Sequence, residues 1–146
     1  MPAGYNIFGM TSVFENITEG QEIACQMLAL SSRDLVIWAG ASGDYNPIHY
    51  DKDIALKKGL GGVVVPGQLV GAMLGSLASR FARPSGRLAK LSVSYKKMMP
   101  LGENLVLKGI VSSKADTPES KSLSLKLWAE DTVGDKTVTA AAVILY

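Results

Sequence analysis

The stretch from Gly67 to Phe81 constrains the fold of this chain more than any other. Leu69, Met73 and Leu77 recur at every fourth position, flanked by Val70, Leu74 and Phe81. Apolar groups would then cover well over half the circumference of a helix, and such a helix has to be enclosed. Gly71, Gly75 and Ser79 make a second row at the same spacing, where small side chains let another backbone approach closely. Membrane-helix dimers use a similar spacing, but close packing on a sheet is the expected cause here.

The C-terminal half of the chain supplies the enclosure. Beyond Arg83 the apolar period changes from near four to two: Leu91, Val93 and Tyr95 alternate with polar neighbours, as do Leu123, Leu125 and Leu127. Residues 104–111 and 137–145 complete a set of four strands. They are separated by the turn-like Met99-Pro100-Leu101-Gly102, Thr117-Pro118-Glu119-Ser120 and Val133-Gly134-Asp135. Short turns between successive strands imply an antiparallel sheet. A further strand around residues 22–30 gives a five-stranded sheet able to wrap the helix, an α+β layout in one domain spanning residues 1–146.

Upstream of the long helix, Ser31-Ser32-Arg33-Asp34 has the form of a capping box and predicts a short helix through Trp38 that stops at Gly40 or Gly43. Residues 51–58 predict a second short helix with acids first and lysines last, closed by Gly59.

Between these helices lies the chain's one histidine, in Ser42-Gly43-Asp44-Tyr45-Asn46-Pro47-Ile48-His49-Tyr50-Asp51. Imidazole is the side chain that both gives and takes a proton near neutral pH, so acid/base chemistry needing one must use His49. Asp44 is a carboxylate able to orient the ring or share in polarising a water, and Asn46 adds a neutral donor and acceptor. Fully extended, Asp44 and His49 would lie about 16 Å apart, so joint action requires a bend at Asn46-Pro47. From the pair alone, a hydrogen-bonded structural histidine is the commoner outcome, and Asn-Pro is a common turn.

Composition narrows the classes. The net charge of +2 and lysines scattered singly or in pairs do not make a nucleic-acid surface. Lys57, Lys58, Arg80, Arg83 and Arg87 remain available to a phosphate-bearing ligand or an acidic carrier protein. Cys25 is alone, which excludes an intrachain disulfide and fits a reducing compartment; it is expected buried in a strand rather than nucleophilic. Met1 to Met10 do not resemble a secretory signal, and the apolar residues 60–77 are broken by glycines and Pro66, so no membrane span and a cytoplasmic protein are expected. No phosphate-binding glycine loop and no dinucleotide fingerprint is present, so nucleotide and dinucleotide cofactors are not expected; there is no nucleophile elbow and no zinc ligand set, while an all-oxygen metal site stays open.

The segment Ala41-Ser42-Gly43-Asp44-Tyr45-Asn46-Pro47-Ile48-His49-Tyr50-Asp51 closely resembles the hydratase-2 motif of MaoC-like enzymes, which are hot-dog-fold (R)-specific enoyl-thioester hydratases and 3-hydroxyacyl-thioester dehydratases. The resemblance extends through the short helix after Asp51, the glycine opening the long helix and the strands to Tyr146. It implies a long central helix wrapped by the sheet, with a short overhang of helices carrying the motif. It also implies that Asp44 and His49 form the catalytic pair, that Asn46 helps hold the water or the carboxylate, and that the Gly67 amide serves as oxyanion donor. Pro66 and Gln68 flank that amide as substrate-binding positions.

The implied reaction is reversible addition of water to a trans-2-enoyl thioester of CoA or an acyl carrier protein, giving an (R)-3-hydroxyacyl thioester. Hot-dog thioesterase activity, or membership of a heteromeric 3-hydroxyacyl-carrier-protein dehydratase, are the alternatives. Relatives of this kind form homodimers or pair with another hot-dog subunit. Many have His-Gly-Met where this chain has Pro66-Gly67-Gln68, and Arg-Phe where it has Ser94-Tyr95. These differences bear on substrate identity more than on the reaction.

Overall fold

The computed structural model describes residues 13–146, apart from the side chains of residues 24–28. The expectations for the leader and for burial of Cys25 lie outside the described residues. In chain order the elements are β1 (Glu22–Ala29), α1 (Ser32–Ser42), α2 (Lys52–Lys57), β2 (Val64–Val65), α3 (Gly67–Phe81), β3 (Arg87–Tyr95), β4 (Met99–Pro100), β5 (Asn104–Thr117), β6 (Ser120–Glu130) and β7 (Lys136–Leu145), with 3-10 turns at Phe14–Asn16 and Pro47–His49. Among the described residues no helix is long and apolar enough to cross a membrane.

A five-stranded antiparallel sheet in the order β1-β5-β6-β7-β3 curls around α3, the hot-dog arrangement. The helix keeps its expected bounds, but its buried row is Val70, Leu74, Leu77 and Phe81, with Gly71, Gly75 and Ala78 beside it. Leu69 and Met73 are only partly buried. Opposite that row stand Leu105, Leu107 and Val111 of β5, Leu123, Leu125 and Leu127 of β6, and Val138, Ala142 and Ile144 of β7. Sequestering one leucine such as Leu74, fully buried, stabilises the fold by about 1.5–3 kcal/mol.

The glycine row works as its spacing suggests. A Cβ on Gly71 would stand 3.1 Å from Val93 Cγ1, and one on Gly75 would stand 2.9 Å from Leu91 Cδ2. Strand β3 lies directly against the helix because those side chains are missing.

Three features depart from the sequence-based expectation. Strand β3 does not neighbour β5: it pairs with β7, from Arg87↔Leu145 to Tyr95↔Val138, on the edge opposite β1. The segment after β3 is therefore no hairpin turn, and its Met99–Pro100 pairs antiparallel with Val64–Val65 in a small second sheet. Strand β5 also runs past Val111 to Thr117, because a bulge between Val111 and Ser113 lets the β5–β6 ladder continue.

Candidate active site

The site is assembled from local capping outward. Ser31 caps α1: its hydroxyl accepts from the Asp34 amide, and the Asp34 carboxylate takes the Ser31 amide at 2.8 Å. The Ser31 hydroxyl also donates to Asp34 Oδ2 at 2.7 Å, and this bond first, with the Ser31 amide second, holds the Asp34 carboxyl below its usual range. The helix runs past Trp38 to Ser42 and stops at Gly43, whose φ of 74° is left-handed. Ser42 Oγ donates to the Trp38 carbonyl at 2.7 Å and accepts from the Asp44 amide at 3.1 Å, which fixes the first residue beyond the helix.

Asn46 and Pro47 then make the required bend. Asn46 is extended at φ −62°, ψ 120°, and its Oδ1 caps the Pro47–His49 turn by accepting the Ile48 amide at 3.3 Å. Its own backbone amide donates to Asp44 Oδ1 at 3.2 Å. The Asn46 side chain thus serves the turn and does not line the cavity; its link to the carboxylate runs through the backbone. Tyr50 closes the loop by donating from its hydroxyl to the Tyr45 carbonyl at 3.0 Å, and Asp51 caps α2.

The bend brings His49 Nε2 to 3.8 Å from Asp44 Oδ2, with the imidazole 13% and the carboxylate 29% exposed. The other ring nitrogen, Nδ1, lies 2.7 Å from the Val64 carbonyl oxygen. A carbonyl only accepts, so Nδ1 carries a proton and Nε2 is the ring nitrogen turned toward the carboxylate. This carbonyl, rather than Asp44, sets the tautomer. The sequence offers no sign of it, since every residue has a carbonyl.

Three residues after Val64 the same stretch opens α3. Pro66 is its N-cap and makes no side-chain cap; the Leu69 and Val70 amides bond the Pro66 carbonyl. Among the described residues the Gly67 and Gln68 amides have no acceptor. Free amides at a long helix's positive end favour negative charge. The Tyr95 ring covers the Gly67 α-carbon so closely that a Cβ there would stand 2.7 Å from Tyr95 Cδ1.

Asp44, His49, Pro66, Gly67 and Gln68 all line one cavity of about 470 Å³. Its inner wall is the buried Val65, Val70, Met99, Thr137 and Val138; its rim is the exposed Gln68, Tyr95, Lys96, Lys97 and Met98. Lys97 bonds Asp131 at 2.7 Å and Asp135 at 2.8 Å, which raises its pKa and depresses that of Asp131. Among the described residues no cluster of three or more His, Cys, Asp and Glu side chains is arranged to hold a metal.

A family model described as the MaoC like domain matches residues 13–132. The chain belongs to that family. Among solved structures, the MaoC-like chain is similar to the R-hydratase PhaJ1 from Pseudomonas aeruginosa, with 23% identity, a TM-score of 0.81, and coverage of 90% of this chain and 83% of that one. It is similar to the (R)-hydratase from A. caviae involved in PHA biosynthesis at 21% identity and a TM-score of 0.81, covering 89% and 97%. The HadBC (3R-hydroxyacyl-ACP dehydratase) complex from Mycobacterium tuberculosis matches at 12% identity and a TM-score of 0.73, covering 88% and 96%. At these identities the likeness is one of fold. Comparison with curated proteins gave no match.

Proposed function

We propose that the protein is a hydro-lyase that interconverts trans-2-enoyl thioesters and (R)-3-hydroxyacyl thioesters. The observation that carries this reading is the convergence, on one cavity, of the Asp44–His49 pair and the free Gly67 amide. A water about 2.8 Å from both Nε2 and Oδ2 fits on the cavity side of that pair. Its oxygen adds to C3 while its proton passes to the pair, and a proton is returned to C2. Charge that develops on the thioester oxygen meets the Gly67 amide, a donor fixed before the reaction begins. In the reverse direction the same groups remove water. CoA or an acyl carrier protein arrives with the substrate, and no metal or organic cofactor takes part.

A homodimer, or a pair with another hot-dog subunit, is the assembly we propose; HadBC is a relative of the second kind. The test is to incubate purified protein with trans-2-enoyl-CoAs of graded length, following loss of the conjugated enoyl absorbance and the stereochemistry of the product. Loss of the double bond with an (R)-3-hydroxyacyl product supports hydration. Release of free thiol with the double bond intact replaces it with a thioesterase.

A further inference from the structure

The cavity has a polarity axis that the reacting groups leave unexplained. Its inner wall of Val65, Val70, Met99 and Val138 is buried and apolar, whereas its mouth carries the consecutive lysines Lys96 and Lys97. The two ammonium groups are not equivalent. Lys97 is held between Asp131 and Asp135, so that three-residue cluster has no positive charge to spare. Lys96 is exposed and, among the described residues, has no carboxylate within ion-pairing distance. Its backbone is nonetheless fixed, because the Lys96 and Lys97 amides both donate to the carbonyl of buried Thr137, at 2.8 and 3.2 Å. Lys96 also directly follows Tyr95, whose ring covers the Gly67 α-carbon. An unpaired cation pinned at the mouth of an otherwise apolar cavity selects ligands that are apolar at the buried end and anionic at the outer end.

Resting on the enoyl-thioester reading, we infer that Lys96 binds the phosphate of the substrate's pantetheine arm. The acyl end points inward to Val70 and Val138, the thioester lies between His49 and Gly67, and the arm leaves past Tyr95 with its phosphate at Lys96. That phosphate ester is common to CoA and to the prosthetic arm of an acyl carrier protein.

The experiment measures binding of CoA, 4′-phosphopantetheine and pantetheine to the wild-type protein and to Lys96→Gln by calorimetry, which needs no turnover. An exposed ion pair of up to about 1 kcal/mol corresponds to a loss of roughly three- to fivefold in affinity, and the loss should shrink as salt is added. The expected result is that weakening for CoA and phosphopantetheine, with pantetheine unchanged. Weakening for CoA alone would assign Lys96 to the nucleotide phosphates and overturn the contact to the arm. Equal affinities of variant and wild type for CoA, or equal weakening for pantetheine, overturn the phosphate contact. If Lys96 matters for binding but the wild type hydrates no enoyl thioester, the subsite stands and the hydratase reading falls. A wild type that binds neither CoA nor phosphopantetheine removes both.

Discussion

His49 Nδ1 lies 2.7 Å from the carbonyl oxygen of Val64, and this contact decides which nitrogen is available for chemistry. Because Nδ1 is the donor there, Nε2 is the nitrogen left to face Asp44 Oδ2. The backbone that orients the imidazole belongs to the short strand β2, which leads through Pro66 into α3 and its Gly67 amide. His49 and the Gly67 amide are therefore positioned by one continuous stretch of chain.

If this pair is the proton-transfer apparatus, His49→Ala and Asp44→Asn should each lower enoyl-CoA hydration by about 10²–10⁴-fold. The far-UV circular dichroism spectrum should be unchanged, since neither side chain belongs to the core. Steady-state rates at saturating substrate provide the check. Ordinary turnover in both variants would sink the assignment.

Gly67 and Gly109 offer a contrast in what a single methyl group does. An alanine Cβ at Gly67 would stand 2.7 Å from Tyr95 Cδ1, but that residue is 56% exposed, so its ring can turn away. Gly67→Ala should cost under ~1 kcal/mol of stability, yet it displaces the ring that covers the start of α3 at the cavity and should lower turnover. Tyr95→Ala, which removes the same ring, should lower turnover likewise, and adding it to Gly67→Ala should restore nothing. At Gly109 the Cβ would stand 2.6 Å from Leu127 Cδ2 and 3.1 Å from Ile23 Cδ1, both on buried residues. Gly109→Ala should destabilise the protein by about 1–3 kcal/mol in urea unfolding.

Acid should weaken the cluster at the cavity rim. The Lys97 ammonium, followed by the Asp135 and Val133 amides, holds the buried Asp131 carboxyl below its usual range against the opposing effect of burial. A carboxylate with a depressed folded-state pKa contributes stability that is present above its unfolded value of about 3.9 and is lost as pH falls through the folded value. Asp131→Asn should therefore be less stable than wild type near neutral pH, and the gap should narrow as pH drops below about 4. Urea midpoints measured across that range test it. A gap independent of pH would mean the carboxylate's charge contributes nothing.

The parts legible in the sequence are those fixed within a few residues. The α3 bounds, the Ser31–Asp34 capping box and the left-handed Gly43 each follow from neighbours along the chain. The pairing of β3 with β7 does not, because it is decided by how closely Val93 and Leu91 pack on Gly71 and Gly75 across the fold. Strands β2 and β4 have two residues each, too few for any period to register. Asp44, His49 and Gly67 are readable as candidates because their spacing matches a known motif. The Asn46 side chain is equally suited to a cavity by its chemistry, but an asparagine before a proline turn satisfies the nearest amide first. The partners of Lys97 lie 34 and 38 residues away, beyond any local rule.

The two ends of α1 should separate stability from activity. Ser31→Ala removes the N-terminal cap and should cost about 1 kcal/mol, since the hydroxyl satisfies an amide that has no helical partner. Gly43→Ala meets no neighbouring atom within 4 Å, so its cost is the left-handed backbone alone, again about 1 kcal/mol. The consequences for the site differ. Fraying at Ser31 leaves the far end of the helix, and hence Asp44, in place. Relaxing φ at residue 43 rotates the next peptide, breaks the 3.1 Å bond from the Asp44 amide to Ser42 Oγ, and swings the carboxylate away from His49. At a temperature where both variants are folded, Ser31→Ala should keep wild-type turnover per molecule while Gly43→Ala loses most of it. Equal rates in both would mean that the turn from Asp44 to His49 holds its shape without the helix that delivers it.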